Sequence, residues 1–237
     1  MNWEAFDDYG ALSLRAAQIM LDAIHANPRL VLGLPTGRTP IGMYDHVVAE
    51  CGREYRCFRD ATTFNLDEYA GIPRTHPASY FTFMKQHLFN HIDLPAERAH
   101  IPDGAAADLD AECLRYERDI AAAGYLGLTF LGLGRNGHIG FNEPGTPLDS
   151  RTRVVELTAS TRAANAALFP GRNVPEQALT IGIGTILESK RIVLLASGAG
   201  KREAIERLRA GAVSVDFPAS ALWTHPDVTV LADSSSA

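Results

Sequence analysis

LGLTFLGLGRNGHIGFNEPG, residues 126–145, reads as a strand followed at once by a loop. The run 126–133 is short, apolar and nearly continuous, as expected of a strand buried on both faces of a sheet. The loop after it crowds Asn136, His138, Asn142 and Glu143 among glycines. In open α/β sheets the loops at the carboxyl ends of strands line the ligand crevice. A histidine placed there moves a proton near neutral pH, and a carboxylate such as Glu143 fixes its tautomer. The plainer alternative is a loop histidine bonded to backbone; the crowding of polar groups makes it less attractive.

Similar runs recur outward from this one, at 30–34, 61–66, 178–183, 191–196 and 228–232. Helical patterns lie between them. Leu12, Ala16, Ile19, Met20 and Ala23 share one face; further helices are expected over 41–48, from Tyr80 to His91, and over 108–122 and 201–210. Alternation of this kind implies an α/β fold with a mainly parallel central sheet, helices on both faces and right-handed crossovers. No repeat or composition shift marks a boundary, so residues 1–237 are expected to form a single α/β domain, with the tail 233–237 frayed.

Bulk composition narrows the class. Hydrophobic residues make up 46% and charged residues 21%, the balance of a globular protein with a real core. A net charge of -6 argues against a nucleic-acid partner. Cys51, Cys57 and Cys113 have no metal-ligand spacing and read as reduced thiols. No basic-then-apolar leader opens the chain, and no apolar run approaches the roughly 20 residues of a membrane span. A soluble cytoplasmic protein with no membrane partner is the expectation. His87 and His91 stand four apart, but Leu88 occupies the glutamate position of HExxH, which favours helix packing over a metal site.

Three further loops hold candidate chemistry. GLPTGRTPI, residues 33–41, runs from a strand into a helix start, where backbone N–H groups, the Thr36 and Thr39 hydroxyls and the Arg38 charge suit an anion. It is neither a Walker loop nor a GxGxxG fingerprint, and a capped strand–helix turn is an equal alternative. In TFNLDEY, residues 63–69, Asp67 and Glu68 follow a strand and should point opposite ways, one into the crevice and one to cap or pair; a solvated acidic turn is the plainer reading. SGAGK, residues 197–201, sets Lys201 at a helix start in a chain whose other lysines are Lys85 and Lys190. Lys201 would suit a phosphate as a point charge. Arg162 is a similar unassigned cation.

Together these pieces resemble the glucosamine-6-phosphate deaminase (isomerase) family. The matching motifs are LGLPTGRTP at 32–40, FNLDEY at 64–69, HPASYFTFM at 76–84, NGHIGFNEPG at 136–145, SRTR at 150–153, TRAAN at 161–165, ALTIGIGTIL at 178–187 and SGAGK at 197–201. They follow the family's order across most of the chain. The resemblance implies a Rossmann-like three-layer sandwich and conversion of D-glucosamine 6-phosphate and water to D-fructose 6-phosphate and ammonia, with no cofactor or metal. It assigns ring opening to His138 with Glu143, C2 deprotonation to Asp67, and phosphate binding to Thr36, Gly37, Arg38, Thr39, Arg162 and Lys201. The related 6-phosphogluconolactonases share the fold but match less well around FNLDEY and lack the FNEPG continuation; a non-enzymatic sugar-phosphate sensor is a further alternative.

Two departures from the family pattern stand out. Asn136 replaces an aspartate found in some members; an amide cannot ionise, but it can hydrogen-bond and orient. Members regulated by N-acetylglucosamine 6-phosphate form hexamers and use a second basic site. Arg153 matches part of that pattern, whereas Val155 stands where a lysine is expected. The expectation is therefore an unregulated monomer or low-order homo-oligomer.

Overall fold

A computed structural model describes residues 1–52, 57–171 and 173–236. In chain order the elements are β1 (Asn2–Phe6), α1 (Tyr9–Ala26), β2 (Val31–Leu34), α2 (Ile41–Cys51), β3 (Thr62–Asn65), β4 (Asp67–Tyr69), α3 (Tyr80–His87), β5 (Ala99–His100), α4 (Leu109–Ala122), β6 (Leu128–Gly132), β7 (Arg153–Glu156), α5 (Ala159–Asn165), β8 (Gln177–Thr180), α6 (Ile183–Leu187), β9 (Ile192–Ala196), α7 (Arg202–Arg209) and β10 (Val228–Asp233). Short polar residues start several helices. Asp8, Ser79, Asp108 and Thr158 each accept from a backbone N–H three residues on, satisfying donors that a helix start leaves unpaired.

Seven strands form one sheet in the order β1-β10-β9-β6-β2-β3-β5, with every neighbouring pair parallel. Side chains alternate across it with period two. Phe130, Val193, Leu195 and Leu231 join one apolar cluster with α1, α2 and α3, while Leu131, Ile192, Leu194 and Val230 join another with α4 and α7. The result is a three-layer α/β sandwich.

The strand order reverses between β2 and β6. From β2 the chain moves outward to β3 and β5; from β6 it moves the other way, to β9 and β10. A reversal of this kind opens a crevice beyond the carboxyl ends of the two strands. Their pairing covers only Leu32 with Leu128 and Gly33 with Thr129. Gly33 is needed there, because a Cβ would lie 2.6 Å from the Thr129 hydroxyl. The loops after β2, β6 and β9, and the end of β3, all meet at this edge.

Two expectations fail. The run 178–183 does not join the parallel sheet. β8 is the middle strand of a second, antiparallel sheet ordered β4-β8-β7, and Ile183 already begins α6. Residues 178–180 are fully buried, which gives them the same apolar look as a parallel strand. The tail is held rather than frayed. The Ser234 N–H donates to the Phe6 carbonyl at 2.8 Å, and the buried Ser236 hydroxyl donates to the Ala196 carbonyl at 3.0 Å. Ala237 lies outside the described residues.

The His87 ring packs on Phe83 and the His91 ring bonds the Gln86 carbonyl. Among the described residues no cluster of His, Cys, Asp and Glu is placed to hold a metal ion, and no helix is long and apolar enough to cross a membrane.

Candidate active site

Leu66 is the pivot between the two sheets. Its N–H donates to the Leu34 carbonyl at 3.2 Å, and its carbonyl accepts from the Ile181 N–H at 2.8 Å. Asp67 and Glu68 are thereby carried off the end of β3 into the crevice wall. Both are buried, at 6% and 2% exposure, so no solvated acidic turn forms. Glu68 accepts from the N–H groups of Tyr69 and Tyr80 at 2.9 Å each and of Phe81 at 3.0 Å, tying β4 to the start of α3. Asp67 has no such support: its Oδ1 is buried without a hydrogen-bond partner among the described residues. Burial and the neighbouring Glu68 charge push the Asp67 carboxyl up to about 8, with the adjacent Thr36 hydroxyl offsetting part of the effect. Burial also raises the phenols of Tyr44, Tyr69 and Tyr80, and the nearby Asp67 charge adds to the effect on each.

The loop after β6 is fastened from below. The buried Asn142 amide donates to the carbonyls of Ile139 and Ile181 at 2.9 Å each, and its oxygen accepts from Arg153 Nη1 at 2.8 Å. Asn142 is therefore a fastening of the loop to the end of β8. Gly140, at φ +57°, faces Asp67: a Cβ there would stand 3.0 Å from the Thr180 hydroxyl and 3.6 Å from Asp67 Oδ2. This contact brings the 126–145 stretch and the 63–69 stretch into one site.

Above the fastening runs a polar relay. Glu143 accepts from the Thr161 hydroxyl at 2.6 Å and from Asn136 Nδ2 at 2.7 Å. With its nitrogen committed to a carboxylate, Asn136 turns its oxygen to His138 Nδ1, 2.8 Å away. An amide oxygen only accepts, so Nδ1 carries the proton and Nε2 keeps its lone pair. The carboxylate itself lies 3.6 Å from Nδ1. Burial disfavours a charged Glu143, but His138, Thr161 and Asn136 outweigh it and hold the carboxyl down at about 2.

The cationic and hydroxyl groups are less tightly gathered. Thr36 stands beside Asp67 and Tyr80. Gly37 adopts φ +96° with open space where a Cβ would be. Arg38 and Thr39 present carbonyls to the Tyr9 hydroxyl at 3.2 and 3.0 Å, and that hydroxyl accepts from the Gly42 N–H at 2.8 Å, clamping the loop to α1. Lys201 lies beside Arg135, and burial followed by the Arg135 charge lowers its ammonium. Arg162 stands apart, pairing with the exposed Glu176 at 3.5 Å. Sequence reasoning missed Thr161, Thr180 and Arg135. Thr161 and Thr180 reach the site only through the tertiary fold; Arg135 sits inside the opening motif, where nothing in the local pattern singles it out.

The family model described as glucosamine-6-phosphate isomerases/6-phosphogluconolactonase matches residues 9–231. The chain belongs to this family. Within the isomerase/lactonase family, a glucosamine-6-phosphate deaminase of Lysinibacillus sphaericus is 50% identical over 232 residues, covering 98% of each chain. Glucosamine-6-phosphate deaminase 1 of Bacillus subtilis is 52% identical over 230 residues, covering 97% of this chain and 95% of that one. A solved structure of a monomeric glucosamine-6-phosphate deaminase is 50% identical and matches with a TM-score of 0.97 over 100% of this chain and 98% of that chain.

Proposed function

We infer that the chain is a glucosamine-6-phosphate deaminase, an enzyme of amino-sugar metabolism that converts D-glucosamine 6-phosphate and water to D-fructose 6-phosphate and ammonia. Full-length identity of about half to proteins of that name supports the reading. The observation in the site that carries it is the pairing of two groups in one crevice: a buried carboxylate, Asp67, whose Oδ1 has no hydrogen-bond partner among the described residues, and an imidazole, His138, with Nε2 left as an acceptor.

Ring opening comes first. His138 Nε2 takes the proton of the anomeric hydroxyl and returns it to the ring oxygen as the C1–O5 bond breaks. The transient imidazolium is steadied by Glu143 through Asn136. Ionised Asp67 then removes the C2 proton, and an enolamine forms as O1 takes up a proton. Asp67 returns its proton to C1 while the nitrogen loses one, leaving an imine at C2. Water adds there and ammonia departs, giving the ketone. Every step moves a proton or adds water, so no electron carrier is called for.

The Thr36–Thr39 loop and Lys201 are the proposed phosphate seat. Arg162 joins them by exchanging Glu176 for phosphate, one anion for another. A charged sugar phosphate does not cross a membrane unaided, which supports a cytoplasmic reaction. The monomeric relative and Val155 in place of a lysine support an unregulated monomer or low-order oligomer.

Purified protein given glucosamine 6-phosphate should release ammonia and fructose 6-phosphate in equal amounts without added cofactor. Binding without turnover, or hydrolysis of 6-phosphogluconolactone in place of deamination, would overturn the reading.

A further inference from the structure

Arg135 is not used by the steps above, yet its position is specific. It leaves the loop after β6 and lies across the loop after the neighbouring strand β9. A Cβ on Gly200 would be 3.0 Å from Arg135 Nε and 3.5 Å from Nη2, so the side chain occupies the space that any larger residue at 200 would need. The next residue along is Lys201. Two cations thus stand together at the carboxyl ends of adjacent strands, and neither side chain makes an ion pair or a hydrogen bond with another described residue. By contrast Arg15 has Glu4, Arg115 has Glu112 and Asp119, Arg151 has Glu188, and Arg162 has Glu176. Like charges side by side repel; burial first, and then the Arg135 charge, lowers the Lys201 ammonium. An incoming dianion relieves that repulsion. Arg135 also borders a cleft of about 340 Å³ whose lining includes Asn136 of the relay, Arg207, and the carboxylates of Glu203 and Asp216.

We propose that Arg135 and Lys201 together form a bipartite seat for the 6-phosphate of the substrate, with Arg135 a positioning residue that supplies a planar two-donor fork beside the lysine point charge. The inference rests on the deaminase reading for the identity of the sugar, but not for the anion site itself.

The test uses Arg135→Gln and Arg135→Lys beside wild type, with inorganic phosphate as the binding probe in calorimetry at fixed ionic strength. Arg135→Gln should weaken phosphate binding and raise KM for glucosamine 6-phosphate by about tenfold or more, with kcat within about threefold. Arg135→Lys, which keeps charge but loses the fork, should fall between the two. Phosphate binding and KM within twofold of wild type in Arg135→Gln would overturn the proposal. So would a fall in kcat with phosphate binding unchanged, since Arg135 would then act through Asn136 alone. Absence of turnover by wild type would count against the deaminase reading, while phosphate calorimetry would still decide the seat.

Discussion

His138 Nδ1 lies 2.8 Å from the Asn136 amide oxygen and 3.6 Å from the Glu143 carboxylate, so a neutral amide stands between the imidazole and its negative charge. The amide fixes the tautomer without titrating. Asn136→Asp would place a second carboxylate where Nδ2 now meets Glu143 at 2.7 Å. Added negative charge favours the imidazolium. The acidic limb of the pH–kcat profile should move to higher pH, with maximal kcat within about tenfold of wild type. A profile that does not move would show that the amide is not in the proton path.

Thr161 links α5 to the relay through its 2.6 Å bond to Glu143. Glu143 is held at about 2, below its ordinary 4.5, so it stabilises the fold fully above about pH 4.5 and that contribution is lost as pH falls toward 2. Thr161→Val removes one of the supporting bonds, worth roughly 1.5–3 kcal/mol for a charged acceptor. Acid unfolding should then begin at higher pH, and kcat should fall about tenfold; Thr161→Ser should restore both. Equal acid titrations of Thr161→Val and wild type would refute the link.

Asp67 has the opposite sign. Its carboxyl rises from 3.8 to about 8 on folding, so the native state holds a proton that the unfolded chain releases. Stability should fall as pH rises from about 4 to about 8 and level off above. Asp67→Asn removes this titration. The variant should melt several degrees above wild type at pH 8, the gap closing toward pH 4.5, while activity drops by about 10³-fold or more. A gap that is the same at both pH values would contradict the assignment of burial to this carboxyl.

Gly140 separates the relay from the base. Gly140→Ala adds a methyl 3.0 Å from the Thr180 hydroxyl and 3.6 Å from Asp67 Oδ2, at φ +57°. The backbone cost is about 1–2 kcal/mol. Gly145→Ala, at φ +93° with open space around it, is the control for backbone strain alone. Both should lower Tm by a few degrees, but only Gly140→Ala should lower kcat by tenfold or more. Equal kcat losses would mean that Gly140 does not shape the site.

The legible strands were those buried on both faces, such as β2, β6, β9 and β10, because burial leaves an unbroken apolar run. β1 was not, since an edge strand reading NWEAF with exposed Asn2 and Ala5 carries no such signal. β4 and β5 are too short to show a period, and β8 shows burial without its antiparallel partner. Within the site, Asp67, Asn136, His138 and Glu143 stood out through local crowding. The geometry that joins them did not, because the Gly140–Asp67 approach depends on Leu66 bridging two sheets. Arg162 was grouped with the cationic loops by residue type, whereas the fold gives it Glu176.

The central claim is that Asp67 takes the C2 proton of an opened glucosamine 6-phosphate. Glucosamine 6-phosphate deuterated at C2, turned over by wild type and by Asp67→Asn and followed by NMR, tests it most directly. Wild type should lose the C2 deuteron in step with release of ammonia and fructose 6-phosphate, and Asp67→Asn should retain it. Loss of the C2 deuteron by Asp67→Asn at the wild-type rate would contradict the claim.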